Sequence, residues 1–270
     1  MKISIVTISF NQARFLEQAI SSVLEQDHPN VEYLVVDPGS TDGSREIIER
    51  HRDRIDKIIF EPDRGPADGL NKGFAHAAGE VFGFLNSDDI LEPGALSGAA
   101  RYFETHPEVD VVSGHSWIID ADGRKKRRFY SDRFSLRMVA YGACILAQPS
   151  TFFRSEIFRR AGGFNIDNRS NWDAELFVDM VLAGARFALE RELWSQYRVH
   201  DEGITGSGKL QALHQRHRER MFRKIMGRES HRWDALLAIG ACYMRKIFNF
   251  SDTAERLRHG AIYHSTKQSR

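Results

Sequence analysis

Cysteine is scarce in this 270-residue chain: Cys144 and Cys242 are the only two. Their wide separation excludes a disulfide framework and any closely spaced thiolate metal site. Net charge is missing as well. Lysine and arginine number 38 against 37 aspartates and glutamates, so no global basic excess marks nucleic acid as a partner, and any basic patch must be local. No apolar stretch approaches the roughly 18 to 20 residues that a bilayer-spanning helix needs. The first residues, "MKISIVTISFNQ", carry one lysine and a short apolar run, too little for a secretory signal. These absences predict a reducing, cytoplasmic protein. The 41% hydrophobic content allows a sizeable core, in one large domain or two small ones.

What is present is an alternation. "KISIVTIS" at Lys2–Ser9 is a β-branched run of strand length, and Asn11 can cap the helix that follows. In that helix Phe15, Leu16, Ala19, Ile20, Val23 and Leu24 recur at helical spacing through about Gln26. "EYLVVD" at Glu32–Asp37 is a second strand, and "PGSTDGS" a turn that caps a helix from about Ser44 to His51. "IDKIIFE" at Ile55–Glu61 reads as a third strand, followed by a helix over about Ala67–Ala78 and a strand at Val81–Leu85. That repeat predicts a parallel sheet with helices on its faces and ligands at the carboxyl ends of the strands. After about residue 95 come a helix to about His106, the strand "VDVVSGHS", and a hairpin turning at Asp122 and Gly123.

Three polar clusters fall on strand ends. Thr7, Ser9 and Asn11 end the first strand, Asp37 ends the second, and Asp88 and Asp89 follow the fourth in "FGFLNSDDIL". A parallel sheet brings such ends to one edge, where a nucleotide-sized ligand is expected. The first strand is followed by "FNQARF", without G-x-G-x-x-G, and no G-x-x-x-x-G-K-[ST] occurs, which counts against the common glycine-rich phosphate cradles. Diphosphate charge would then need a cation, and adjacent carboxylates offer the hard oxygens that Mg²⁺ or Mn²⁺ prefers. Two plainer roles compete: "SDD" can cap a helix beginning in "ILEPGAL", and Asp37 can be a turn residue before Pro38.

The chain resembles the family 2 glycosyltransferases of GT-A fold from about residue 1 to 206. The motifs that carry the resemblance are "ISIVTISFNQARFLEQAISSVLEQ", "EYLVVDPGSTDGS", "EPDRGPADGLNKGFAHAAGEVFGFLNSDD", "QPSTFFRSEIFRRAGGFN", "NWDAELFVDMVLAG" and "YRVHDEGIT". The resemblance implies a Rossmann-like, mostly parallel mixed sheet flanked by helices, with residues 1–94 as the nucleotide-binding half, 95–206 as the acceptor side and 207–270 as a helical, basic extension. It further implies a metal-dependent, hexosyltransferase-type enzyme that transfers a sugar with inversion from a nucleotide-diphosphate donor to a saccharide or lipid-linked saccharide, in surface polysaccharide or glycan biosynthesis. Carried over to this sequence, Thr7, Ile8, Phe10 and Asp37 would form the nucleoside pocket, with Arg64, Asp68, Asn71 and Lys72 completing it. "NSDD" would be a variant D-x-D motif, with Asn86 and Asp88 at the nucleotide and Asp88 and Asp89 at the metal. Asp173 would be the base that takes the acceptor proton, although an acid opening a helix has an ordinary explanation too. His200 can reach the diphosphate or metal when the loop closes, and can equally be a hydrogen-bonded structural residue. The glycines of "AGGFN" would have a backbone role.

Two positions depart from the family pattern. Pro38 stands where many relatives carry a second acid, and Asn86 where a full D-x-D has its first, so a uridine donor is not implied and the local charge is lower. A non-catalytic sugar-nucleotide or glycan-binding protein on the same fold is the alternative, and a nucleotidyltransferase is disfavoured because "TISFNQARF" is not glycine- and arginine-rich. From Lys209 to Lys246, ten basic residues face three acids around "ALLAIGACYM". Such a segment can lie on the inner face of an anionic membrane, or form a solvated helical subdomain or a homodimer contact. The run "RKKRR" at Arg124–Arg128 reads as an exposed hairpin arm.

Overall fold

A computed structural model describes residues 1–200 and 211–260. The "DEGIT" part of the last motif, the boundary expected at 206 and parts of the 207–270 extension lie outside the described residues.

Strand β1 (Ile3–Ile8) is central, so its β-branched run is buried on both faces, and alternate residues feed different cores. Ile3 and Ile5 pack with Leu16 and Ile20 of α1 (Ala13–Leu24), whereas Val6 packs on the opposite face. β2 (Val31–Val36), α2 (Ser44–Arg50), β3 (Lys57–Ile59), α3 (Pro66–His76) and β4 (Val81–Asn86) complete the alternation. All four strands run parallel, and Ile8 pairs in register with both Val36 and Asn86. The polar strand ends therefore share one edge, as the alternation predicts. α3 presses close to β1 because Gly73 is bare: a Cβ there would lie 2.5 Å from Val6 Cγ1.

The caps differ from expectation. Asn11 adopts φ 52° and its Oδ1 accepts from the Thr41 amide at 2.9 Å, so it does not cap α1. Instead the amides of Gln12 and Ala13 donate to Ser44 Oγ (3.1 Å) and Asp42 Oδ2 (2.9 Å). "PGSTDGS" thus serves both helices, for Asp42 Oδ1 also accepts the Ser44 amide (3.1 Å) in the first turn of α2, which starts behind left-handed Gly43.

β5 (Ile90–Leu91) comes next and pairs with Gln196 and Ser195. α4 (Ala95–Thr105) begins only after Gly94 at φ 79°, so "SDD" does not cap it. β6 (Val111–Ile119) and β7 (Lys125–Phe129) form the expected hairpin. α5 (Leu136–Ala140), β8 (Thr151–Arg154), α6 (Ser155–Ala161), α7 (Trp172–Leu182) and β9 (Phe187–Arg198) follow. The strands form one mixed sheet ordered β3-β2-β1-β4-β8-β6-β9-β5, with β7 on β6. One core lies under α1 and α4, the other under α3, α6 and α7, giving a three-layer α/β/α body.

The extension consists of α8 (Gln211–Met226), α9 (Arg232–Phe248) and α10 (Phe250–His259). It is fastened by charge. Arg220 and Lys224 reach Glu175 and Asp179 on α7, Arg245 meets Asp132 at 2.6 Å, and buried Arg127 on β7 lies 3.3 Å from Asp252 on α10. None of the described helices is long and apolar enough to cross a membrane.

Candidate active site

At the carboxyl edge of the parallel strands a cavity of about 710 Å³ opens. Its walls come from Ile8 at the end of β1 and Ser9 and Phe10 after it, Gln12 and Pro38, the loop 62–66, Asn86 to Asp88, Arg169 and Trp172, and Tyr197 to His200. The volume falls in the range of small-molecule sites.

The floor is Asp88, backed by Asp89, and the pair is held by the end of β9. His200 Nε2 hydrogen-bonds Asp88 Oδ2 at 3.0 Å, and its ring packs 4.6 Å from Phe15. Nδ1 of His200 is buried without a hydrogen-bond partner among the described residues. Asp89 is only 1% exposed, and its Oδ1 accepts the Arg198 amide at 2.9 Å. Burial, reinforced by the Asp88 charge, pushes the Asp89 carboxyl well above the usual carboxylate range. Asp88 faces the cavity; Asp89 lies behind it.

Arg198 organises this floor. Its guanidinium is buried over the Phe15 ring, centroid 4.8 Å away, and donates to the Asp88 carbonyl (2.8 Å), the Asp120 and Ala121 carbonyls (3.2 Å each) and Gln18 Oε1 (2.7 Å). Burial lowers its pKa, and the Asp89 and Asp88 charges oppose that shift. One side chain thus ties the acidic turn to the β6–β7 hairpin and α1.

Of the expected site residues, Ile8, Phe10, Arg64, Asn86, Asp88 and His200 line the cavity. Thr7, Asp37, Asp68, Asn71 and Lys72 are not among the lining residues, and each is engaged elsewhere. Thr7 is buried and accepts the Tyr33 hydroxyl at 3.0 Å. Asp37 is fully buried, accepting the Gly39 and Ser40 amides (3.0 and 2.8 Å), the Ser40 hydroxyl (2.5 Å) and Arg45 Nε (3.1 Å). Asp37, expected at the nucleoside, is not itself among the lining residues: its carboxylate shapes the turn that presents Pro38. Asp68 accepts the Arg64 amide at 2.9 Å, and Lys72 donates to the Pro62 carbonyl, so both fix the loop carrying Arg64. Asn71 exchanges hydrogen bonds with the Phe164 backbone (2.9 and 2.8 Å). That turn requires glycine, since Gly162 and Gly163 have φ 85° and 75°. Asn86 donates to Gln148 Oε1 at 3.1 Å. Asp173 follows the lining residue Trp172 in the first turn of α7.

Sequence reasoning missed Gln12, Asp63, Arg169, Trp172 and Tyr197. Asp63 illustrates why. Its Oδ1 accepts the Gly65 amide at 2.8 Å and burial raises its carboxyl, a setting created by the fold of the 62–66 loop rather than by a motif. Trp172 had a signal, a large aromatic beside the candidate base in "NWDAEL".

Among the described residues no group of three or more His, Cys, Asp and Glu is assembled to hold a cation alone. Asp88 with His200 beside it fits a hard divalent ion of the kind that takes one or two protein ligands and completes its shell with phosphate oxygens and water. The cations Arg64 and Arg169 on the same cavity suit an anionic ligand.

Comparison with known proteins gives the family and the fold. Residues 4–162 match the profile of the family described as Glycosyl transferase family 2. An uncharacterized glycosyltransferase of Nostoc sp. is 34% identical over 211 residues, covering 74% of this chain and 65% of its own. A Bacillus subtilis glycosyltransferase, TuaG, named for teichuronic acid biosynthesis, is 38% identical over 130 residues, 47% of this chain and 51% of its own. The chain thus spans half to two thirds of the length of these relatives. Among solved structures, Staphylococcus aureus TarS in complex with UDP-GlcNAc superposes with a TM-score of 0.69 over 99% of this chain and 77% of that one, at 18% identity. The Pyrobaculum calidifontis mannosyltransferase PcManGT, in complex with GDP-Man and Mn²⁺, gives 0.65 over 96% and 76%, at 20% identity. Both show the GT-A fold.

Proposed function

The chain belongs to glycosyl transferase family 2, and we propose that it transfers a sugar, with inversion, from a nucleoside-diphosphate donor to a hydroxyl of a saccharide or lipid-linked saccharide. Assembly of a surface polysaccharide is the setting suggested by the Bacillus relative. The observation that carries the reading is the meeting, in one cavity at the sheet's carboxyl edge, of the Asp88–His200 pair with Arg64 and Arg169. An anionic diphosphate would find cations there and a cation would find hard ligands.

In this reading Ile8, Pro38 and the exposed ring of Phe10 receive the nucleoside, and Arg64 and Arg169 receive the diphosphate. Asp68, Asn71 and Lys72 act indirectly, by fixing the loops that carry those groups. Asp88, with His200, would hold Mn²⁺ or Mg²⁺, and Asp89 supports them from behind. When bound, the cation neutralises charge on the departing diphosphate, which is why one carboxylate base suffices here where a glycosidase needs two. Asp173 takes the acceptor proton from the α7 side of the cavity. Residues 1–94 serve the donor, joined by Arg169 and His200 from the 95–206 half, whose remaining surface serves the acceptor.

Thermal melts with a panel of nucleoside diphosphates, with and without Mn²⁺, test the donor site. At least one diphosphate raises the melting temperature, by more with Mn²⁺, and Asp88→Asn loses the Mn²⁺ increment. No response to any diphosphate overturns the reading. Asp173→Asn keeps the shift and loses roughly 10²–10⁴-fold in turnover; unchanged turnover removes it as base. A wild-type protein that shifts with donor yet transfers to no acceptor would be a binding protein instead.

A further inference from the structure

Helix α9 has its polarity inverted. Its least exposed positions, Asp234, Ala238, Ala241, Arg245 and Asn249, recur at helical spacing and face the body. The polar ones are fully engaged there. Asp234 accepts both Arg228 Nη atoms at 2.7 Å, Arg245 donates to Asp132 (2.6 Å) and Asp252 (3.1 Å), and Asn249 donates to the Tyr130 carbonyl (2.9 Å) and Asp132 Oδ1 (2.7 Å). The remaining arc points away from the protein and carries Trp233, Leu236, Ile239, Tyr243, Ile247 and Phe248, between 56% and 77% exposed. Phe250 and Leu257, a helical i, i+7 pair on α10, are exposed at 71% and 81%. A water-facing helix carries its polar stripe outside, and a lone soluble domain rarely shows an apolar patch this continuous. Such a face calls for an apolar cover.

The charges select the cover. Arg232, Lys246 and Arg258 are exposed on these two helices, whereas their acids are withdrawn: Asp234 and Asp252 are buried in ion pairs, and Glu255 accepts the Arg128 amide at 3.0 Å. A second copy of this chain is a poor match. Antiparallel pairing of two α9 helices sets Arg232 of one against Lys246 of the other, parallel pairing sets each against itself, and no free acid on the face relieves either. An anionic lipid surface satisfies both requirements at once. We propose that α9, with the exposed side of α10, lies in the headgroup region of an anionic bilayer leaflet, its apolar arc toward the acyl chains and its cations at the phosphates. The helix lies in the plane of the leaflet, because no described helix is suited to crossing it. This surface is separate from the donor cavity and does not depend on the activity proposed above.

The test is sedimentation of the full chain with phosphatidylcholine vesicles, with and without phosphatidylglycerol. Binding rises at least about tenfold with the anionic lipid and weakens with added salt. Brominated lipid quenches Trp233. Leu236→Asp with Ile247→Asp weakens binding by about tenfold or more, and Lys246→Gln by about fivefold. Both variants keep the wild-type melting temperature, since these side chains touch little of the body. Equal binding to neutral and anionic vesicles, or none to either, overturns the proposal. So does a dimer in sedimentation equilibrium that the Leu236/Ile247 double variant dissociates, which would identify a second copy as the cover.

Discussion

Replacing Arg198 by methionine tests whether the acidic turn is held as the structure indicates. The substitution keeps the Arg198 amide that donates to Asp89 and a stem of similar length over Phe15. It removes the side-chain bonds to Asp88 O, Asp120 O, Ala121 O and Gln18. Gln18 is exposed and rehydrates, and the Asp120 carbonyl keeps the Gly123 amide at 3.0 Å, which leaves the Asp88 and Ala121 carbonyls without the donor they had. At about 1 kcal/mol each, the low end for buried acceptors because water reaches part of the hairpin, they cost about 2 kcal/mol. The lost attraction to Asp88 and Asp89 adds to this, and relief of the buried guanidinium's own desolvation offsets part. The expected net is about 2–3 kcal/mol. For a chain of this size that lowers the melting temperature by roughly 4–12 °C. Thermal and urea melts measure it, and donor-induced shifts report whether Asp88 keeps its position. Arg198→Lys recovers only part, because an ammonium cannot serve three carbonyls as a planar fork does. A methionine variant melting within about 2 °C of wild type, or full rescue by lysine, would refute the reasoning.

Other expectations follow from the same geometry. His115 is buried and its Nδ1 accepts the Ser131 amide at 3.2 Å; burial, aided by Arg191, lowers its pKa from 6.5 to about 4. Its contribution to stability is therefore intact above about pH 6.5 and is lost as pH falls toward 4, by up to about 3 kcal/mol, so urea melts of His115→Gln should show a shallower pH slope, and an unchanged slope refutes this. Burial pushes the Cys144 thiol up to about 12 whereas Cys242 is exposed, so iodoacetamide at mildly alkaline pH should label Cys242 quickly and Cys144 only after unfolding; equal fast labelling of both would contradict it. Gly163→Ala places a Cβ 2.8 Å from Asn71 Oδ1 at φ 75°, which should cost about 1–3 kcal/mol in chemical denaturation and disappear if the backbone simply re-forms.

The first four strands were legible because β-branched runs and helical spacing are local properties, and because a parallel sheet sends its strand ends to one edge wherever the chain goes next. β9 was not legible. "FALERELWSQYR" has no alternation, and its burial comes from pairing with β6 on one side and β5 on the other, partners distant in sequence. The caps were legible only in part: Asp42 Oδ1 meets the first amide of its own helix, but its other oxygen and Ser44 Oγ bond to the start of α1, the helix before their own strand, which no local pattern encodes. Asp37 is instructive in the other direction. "DPGS" is a turn signature, and the plain reading of Asp37 as a turn residue matches its contacts, whereas the family pattern pointed to the ligand. For Asp88 the two kinds of reasoning converge on the same cavity. For Asp89 the fold engages one oxygen on the β9 backbone and sets the other beside Asn86, contacts that no motif announces.

Composition also concealed how far the basic extension reaches back into the site. Its surplus of cations looks like a solvated face, yet Arg220 and Lys224 on α8 both reach Glu175, which is 1% exposed on α7. Burial acts to raise the Glu175 carboxyl, but hydrogen bonds from Asn165, Asn168 and Arg220 hold it below its ordinary value. Asn168 Oδ1 in turn accepts the amides of Ser170 and Asn171, and Ser170 Oγ bonds His217 of α8 at 2.6 Å. Arg169 and Trp172, which line the cavity, sit inside this web, and Asp173 follows them. A buried carboxylate with its cations removed is strongly unfavourable, so α8 and the 165–173 loop form one electrostatic unit. The wall from which the acceptor proton is proposed to be taken is therefore fixed from outside the family's common core, by helices of the segment whose other face is proposed to meet lipid.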